Sequence, residues 1–530
     1  MNVSKYKDDC IAILKSKGPL LGSELNRFLI ERSGVTANNA RQIIRRLKNE
    51  GAFSSTDPVK FKHNQVLYFL PSQNLKKKLR EVFPDHALTL QRVYQALVEE
   101  QGFLFWSEFA KISAGVVDPS KSERKTAKAI FNDLHKLGIV KDLENYNGVP
   151  VVVADKNWIP NVDASTINRH KRNQDISFSQ QFTKDLVEWL EKMNLIGWNS
   201  SHITHVDDYE KGYNGFYCDA ISYCYLWGLY RTNNKDELYD PSREKAGSPV
   251  VVESILHRQA KRHDISGLIN RVSNLYGPIK RDNNFKIIPI CFVDSIESDA
   301  YELARTRGIM IMQLGDVFGT KIVESLKAIR QIDPQNIDPT SLAKILDNAS
   351  ETGQDGKFGS LKGYVFNFLI ASVFSEYNFR PQIGVKYEDT NSDRKCECDI
   401  VVTIDEQHII ACEVKGYNKG SEVKLGDSED ENDTVKKFFE RTCKIIQNRT
   451  GKTVIPVFIT SAGFSIDAVE YLERRNNGKK MKRLLEERNF PSSVFYDREA
   501  LLTIFSNKPN FTEHKRVLKE FFGDQVKDKK

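Results

Sequence analysis

The sequence predicts a multidomain α/β protein, and three observations predict it. At 530 residues the chain holds enough material for three or four domains. Two N-terminal stretches each place a pair of short helical patterns ahead of a strand pair, and a buried strand, turn and helix pattern occurs twice further on. Composition agrees, because 40% hydrophobic and 28% charged residues leave no room for a mostly disordered or collagen-like chain. No apolar run approaches the roughly 18 residues that span a bilayer. The start MNVSKYKDDC lacks the apolar core of a signal peptide, so a cytoplasmic protein with no membrane partner is expected. Eight cysteines in this length are too sparse for a disulfide framework and read as small hydrophobes.

The net charge of +7 is too mild for the whole chain to name a polyanionic partner. Its distribution is more informative. Residues 1–80 carry 16 Lys and Arg against 6 Asp and Glu, so this stretch holds +10 and the rest of the chain −3. Such a local excess raises the concentration of nucleic acid near one domain, and a solvated basic face would look the same.

The first element pair lies in residues 1–80. In TANNARQIIRRLKNEGAF, Ala40, Ile43, Ile44 and Leu47 recur at helical spacing and define a buried face. Asn38, Asn39, Arg41, Gln42, Arg45 and Arg46 point elsewhere, and these side-chain types reach base edges and phosphates. A hairpin is expected over Lys60 to Leu70. With the hairpin as a wing, this stretch resembles the winged helix-turn-helix family, which implies a recognition helix in a major groove of double-stranded DNA. A similar pattern spans residues 85–165, with Ala127, Ile130, Phe131 and Leu134 buried and Lys121, Arg124, Lys125 and Lys128 outside. It resembles a second winged helix, although such small domains also mediate protein contacts or simply pack.

The most informative stretch is KCECDIVVTIDEQHIIACEVKG, residues 395–416. Two apolar runs flank Asp405, Glu406 and Gln407 and read as a β-hairpin with a three-residue loop. If 404 pairs with 408, the same register sets Asp399 opposite Glu413 and Glu397 opposite Lys415, with Cβ atoms roughly 5 Å apart. Alternation then puts Glu413 and Lys415 on one face, while Cys398 and Cys412 share the other. Two carboxylates at the edge of a core repel and raise one pKa unless a cation joins them, and hard oxygen ligands favour Mg²⁺. A lysine beside them is placed to orient or deprotonate water and to offset charge on a phosphate. A solvated hairpin end with a Glu397–Lys415 pair remains the alternative.

Asp399 followed by Glu413-Val414-Lys415 resembles the D…(D/E)xK core of the PD-(D/E)XK nuclease superfamily, the restriction-endonuclease-like fold. The helical LKGYVFNFLIASVFSEYNF before it, and the helix, strand, helix and strand patterns after it, follow the order this resemblance implies over residues 359–510. By position, Asp399 and Glu413 would ligate Mg²⁺, the Val414 carbonyl would complete the inner shell, and Lys415 would position the attacking water. Where family members often carry a helix glutamate, this chain has Asn367, whose neutrality affects a second metal. Gln447 and Glu397 are possible auxiliary residues.

Residues 176–330 read as a degenerate copy. IIPICFVDSIESDAYELARTRG matches VIPVFITSAGFSIDAVEYLERR, with Asp219 and Glu253 as its two acids. Ile255 stands where Lys415 would be, so lost catalysis is expected unless Lys261 or Arg258 has migrated to replace it. Residues 331–358 read as a linker around one short helix and 511–530 as a charged tail. His202, His205, His257, His263, Cys218 and Cys224 have the wrong spacing for a zinc finger. GDSEDEND, residues 426–433, reads as an exposed acidic loop beside the acids, or as a gate that repels DNA. No Gly-rich phosphate loop followed by Lys-Ser or Lys-Thr appears, which argues against ATP-driven translocation.

The resemblance implies a Mg²⁺-dependent DNA endonuclease of the restriction or phage-defence kind, with a cognate methyltransferase as counterpart and a homodimer on DNA as one route to a double-strand break. A non-catalytic DNA-binding protein that uses nuclease folds as scaffold is the competing class. An RNA-directed nuclease is a third reading, which nothing in the N-terminal patterns favours.

Overall fold

The first described α-helix, Lys7–Lys17, is followed by strand Leu20–Leu21, helices Gly22–Ser33 and Ala37–Asn49, and strands Ser54–Ser55 and Leu67–Phe69. The computed structural model describes residues 3–117, 124–146, 149–204, 217–226, 229, 247–279, 287–333, 336–351, 359–392, 394–476, 483, 485–487 and 490–523. Strand Leu67–Phe69 lies centrally and pairs antiparallel with both of its neighbours. The expected Lys60 to Leu70 hairpin is only partly formed. Its sole pairing is a bridge of Phe61 to Gln65 around a turn at Lys62–Asn64, and the ladder proper joins Ser54–Ser55 to Leu67–Phe69.

The same order returns in the second unit. Helix Leu88–Glu99, strand Phe103–Phe105, helices Trp106–Ser113 and Ala127–Lys136, and strands Glu144–Tyr146 and Val149–Val153 make a second three-stranded sheet, again with the last strand in the middle. The expected gap between residues 80 and 85 falls inside helix Leu75–His86, because Leu79, Val82 and Phe83 share one apolar face. They pack into a cluster with Leu21 and Phe61 of the first unit and Leu97, Phe109 and Phe131 of the second.

Helix Thr166–Lys192 opens the next region ten residues before the expected 176, started by Ser165, whose hydroxyl accepts the Asn168 N–H. Two five-stranded sheets follow, and their topologies coincide. In the first, strands His202–Ile203, Ala220–Cys224 and Ser248–Ile255 form an antiparallel meander, and Ile288–Val293 and Met310–Gln313 add in parallel. In the second, Pro381–Glu388, Lys395–Thr403 and His408–Lys415 form the meander, and Thr453–Thr460 and Phe495–Tyr496 add in parallel. Helix Gly359–Glu376 opens the second sheet as helix Thr166–Lys192 opens the first. The two helices meet through Phe178 and Tyr364, with ring centroids 4.9 Å apart, and one buried cluster runs through both regions. Asp185 accepts from the Ser360 amide and hydroxyl at 3.1 and 3.0 Å, so a carboxylate of the first helix caps the second.

Two expectations are corrected by packing. Helix Pro339–Glu351, inside the expected linker, buries Leu342, Ile345 and Leu346 in the shared core. Helix Thr512–Phe521, inside the expected tail, buries Val517 and Leu518, and Arg498 holds its end by donating to the Phe522 carbonyl at 2.6 Å. Apolar residues at helical spacing make both helices part of the core. No described helix is long and apolar enough to cross a membrane.

Candidate active site

The hairpin adopts the expected register, with Ile400 opposite Cys412, Val401 opposite Ala411 and Thr403 opposite Ile409. Its turn is fixed by the Asp405 carboxylate, which accepts the amides of Gln407 at 2.7 Å and His408 at 2.8 Å. The ladder ends at Ile400 and Cys412, one pair short of Asp399 and Glu413. The Val414 amide donates to Asp399 Oδ2 at 2.8 Å. This departure breaks the side-chain alternation. Cys398 packs in the cluster of Val401 and Ile409, while Cys412 packs in the opposite one with Ile400, so the two cysteines do not share a face as the regular pattern predicts. Beyond the break Glu397 pairs in register with Lys386 on the neighbouring strand. The expected Glu397–Lys415 pairing is not in the ladder.

Lys415 Nζ lies 2.9 Å from Glu413 Oε1 and 2.9 Å from Asp433 Oδ1. Its carbonyl accepts from the Ser461 amide at 3.0 Å and the Thr460 hydroxyl at 3.1 Å, which fixes the strand end. Gly416 must follow, because a Cβ there would stand 2.8 Å from Phe366 Cβ on helix Gly359–Glu376. At the next position of that helix, the buried Asn367 amide donates to Asp399 Oδ1 at 3.4 Å. The helix residue picked out from the sequence is thus beside the first acid.

Charge at this site is unbalanced. Burial, and then the Glu413 charge, push the Asp399 carboxyl up to about 7, against the pull of Lys415 and the Val414 amide. Burial works against the Lys415 ammonium, but Glu413, Asp399 and Asp433 outweigh it and hold its pKa well above the ordinary lysine value. Lys415 is therefore a fixed cation and hydrogen-bond donor here, and deprotonation of water by it is not available in this state. Asp433 is the residue that sequence reasoning missed. It ends the acidic loop, at φ 59°, directly before the segment that becomes a π-helix at Lys437–Thr442. A cluster of acids near a lysine was the only signal in the sequence. Gln447 is exposed on helix Cys443–Thr450 and makes no described hydrogen bond to the acids.

The first sheet repeats the carboxylate geometry. The ladder ends at Ala220 and Val252, one pair short of Asp219 and Glu253; the Asp219 amide donates to the Val252 carbonyl at 3.2 Å, and the Ser254 amide donates to Asp219 Oδ2 at 2.8 Å. Cys218 and Ala220 again fall into opposite clusters. The difference is the cation. Lys111, on helix Trp106–Ser113, reaches Asp219 Oδ1 at 2.7 Å and Glu253 Oε1 at 3.2 Å, and Arg271 reaches Glu253 Oε2 at 2.9 Å. Neither anticipated substitute is there. Arg258 pairs with Asp264 at 2.6 Å and Lys261 with Glu100 at 3.2 Å.

On helix Ala37–Asn49 the side chains divide as expected. Asn38, Arg41, Gln42, Arg45 and Arg46 are exposed and Asn39 is half-buried, while Ala40, Ile43, Ile44 and Leu47 are buried. In the second unit Arg124, Lys125 and Lys128 are exposed, Lys125 is paired with Asp133, and Lys128 lies 5.4 Å from the Phe131 ring centroid. Lys121 and His205 lie outside the described residues. Among the described residues, no group of three or more His, Cys, Asp or Glu side chains is arranged to hold a metal. No protein-family model, no curated protein and no solved structure matches this chain.

Proposed function

We propose that this chain is a Mg²⁺-dependent DNA endonuclease whose N-terminal units are winged helices that bind double-stranded DNA and whose C-terminal region hydrolyses phosphodiesters, in restriction or phage defence. The observation that carries this reading is the Asp399 carboxylate held by the Val414 amide at 2.8 Å and within reach of the Glu413 charge, with the Lys415 ammonium 2.9 Å from Glu413. The donor set fits a hard divalent cation. Asp399 and Glu413 supply carboxylate oxygens, Val414 supplies a backbone carbonyl, and the raised Asp399 carboxyl marks a place where positive charge is wanted. Asp399, Glu413 and Val414 would hold the Mg²⁺, which supplies Lewis-acid polarisation of the phosphate and a more acidic water. Lys415 then orients the attacking water and offsets charge on the phosphoryl oxygens. Asn367 keeps Asp399 turned toward the site by donating to its outer oxygen.

For the N-terminal units, support comes from the shared helix, strand, helix, helix, hairpin order and from the exposed Arg41, Arg45 and Arg46. A single phosphodiester centre cuts one strand. With the first carboxylate pair closed by Lys111 and Arg271, a double-strand break calls for a second copy of the chain or sequential nicking. That same closed pair favours, for the first sheet alone, the scaffold role of the competing reading.

The test incubates purified protein with plasmid and phage DNA, with and without Mg²⁺, beside Lys415→Ala. Discrete, Mg²⁺-dependent fragments that vanish in the variant are expected. Tight DNA binding without any cutting, unchanged by Lys415→Ala, would refute the enzyme and leave a DNA-binding scaffold.

A further inference from the structure

The two carboxylate pairs differ in where their cation comes from. Lys415 lies two residues after Glu413 on the same strand, and the matching residue of the first sheet is the buried Ile255. Lys111 arrives instead from the second N-terminal unit, on helix Trp106–Ser113. That helix is held from several sides. The buried Arg92 donates to the Ile112 carbonyl and, at 2.8 Å, to the Ser113 carbonyl, Arg271 to the Lys111 carbonyl at 3.1 Å, and Asn274 to the Ala114 carbonyl at 3.2 Å. Gly267 makes the approach possible, since a Cβ at that position would stand 2.7 Å from the Lys111 carbonyl oxygen.

We infer that the Asp219–Glu253 pair is a metal-independent ionic junction, in which Lys111 takes the place a divalent cation would occupy and fastens the second N-terminal unit to the first sheet. The acids are 2% and 3% exposed, so their charges must be met inside the protein. Lys111 Nζ meets both Asp219 oxygens, at 2.7 and 2.8 Å, and Glu253 Oε1 at 3.2 Å, and Arg271 holds the remaining Glu253 oxygen at 2.9 Å. Two acids and two bases balance without a metal. A pair of this kind is costly to break from one side, because the partner charge is then left buried and alone. Removing Lys111 leaves the carboxylates open to a divalent ion, so the junction is also a latent metal site. The inference stands on the geometry of the first sheet and holds whether or not the Asp399 centre cuts DNA.

The experiment uses the full chain in an Asp399→Asn background, which silences the C-terminal acids as a metal site, and reads thermal unfolding and Mn²⁺ electron paramagnetic resonance. With Lys111 present, no bound Mn²⁺ that depends on Asp219 is expected. Lys111→Ala is expected to lower Tm by roughly 5 °C or more in chelator. Millimolar Mn²⁺ is expected to restore part of that loss, and adding Asp219→Asn to abolish the restoration. An Asp219-dependent Mn²⁺ signal with Lys111 intact would overturn the inference, as would a Lys111→Ala protein with unchanged Tm or one that Mn²⁺ does not rescue. If Lys111→Ala does not accumulate folded, Lys111→Met combined with Asp219→Asn is read against Lys111→Met alone. Recovery of folded protein by the second substitution supports the junction, and no recovery refutes it.

Discussion

The two sheets end their hairpin ladders beside an aspartate and a glutamate and let the amide after the glutamate bind the aspartate, yet they bring different cations to those acids. In the second sheet the acids sit beside one strand lysine that also leans on an exposed loop acid, and Asp399 is pushed toward its neutral form. In the first, a lysine and an arginine from other elements close the acids inside the protein. The comparison teaches that carboxylate geometry alone does not define a metal centre. What defines it is whether the neighbouring cations leave the carboxylates short of positive charge.

The sharpest way to break this comparison is to make the same change in both sheets. Asp399→Asn or Lys415→Ala is expected to reduce Mg²⁺-dependent cleavage by about 10³-fold, in line with the loss of a preorganised charge in a closed site. Asp219→Asn is expected to leave the rate within tenfold, measured on plasmid DNA with folded protein verified by circular dichroism. A large loss from Asp219→Asn would make the first sheet a second catalytic centre.

The N-terminal units offer a parallel contrast. Arg41, Arg45 and Arg46 are exposed, whereas Lys125 is already engaged by Asp133. Each Arg→Ala change in the first unit that removes a phosphate contact is expected to lower DNA affinity and to reduce the slope of log K against log salt by about 1, while Lys125→Ala has less effect. Fluorescence anisotropy over a salt series decides between the units.

Stability should respond to pH at the seam between the two copies. Burial, the dominant influence, pushes the Asp185 carboxyl up to about 7 despite its hydrogen bonds from Ser360. The folded protein then holds a proton that the unfolded chain releases above the ordinary aspartate pKa of 3.8, so the Asp185 contribution to stability falls as pH rises from about 4 to about 7 and is flat above that. Asp185→Asn is expected to raise Tm by a few degrees at pH 8, with the gain disappearing toward pH 4. A gain that does not change with pH would assign the effect to packing.

The smallest effects test the edge of the site. Asp433→Asn frees Lys415 from its exposed partner and is expected to change the cleavage rate by less than about tenfold. Gln447→Ala, on an exposed helix face, is expected to leave it unchanged.

Much of this was legible in the sequence because the signals were local. The three-residue turn fixed the hairpin register as far as Ile400 and Cys412, next to Asp399 and Glu413. Asn367 was picked out by the family resemblance, as the place where members often carry a helix glutamate, and the buried face of helix Ala37–Asn49 by its spacing. The places where the reading failed involve long-range packing. Helix Leu75–His86 crosses an expected boundary, helices Pro339–Glu351 and Thr512–Phe521 fill the core where a linker and a tail were expected, and Asp433 folds back onto Lys415. The three helices carry apolar residues at helical spacing in the sequence, but periodicity reports which face of an element is buried and not what buries it, and Asp433 has no periodic signal.

The sequence by itself determined the α/β class, the two strand-turn-helix copies and the register of the 395–416 hairpin, because turn length and helical spacing are properties of neighbouring residues. Only the tertiary structure decided what each acid pair faces. Lys111 reaches Asp219 and Glu253 because Gly267 lets two helices from distant parts of the chain approach closely, and the charge state of a buried carboxylate depends on every cation that packing brings within a few ångströms.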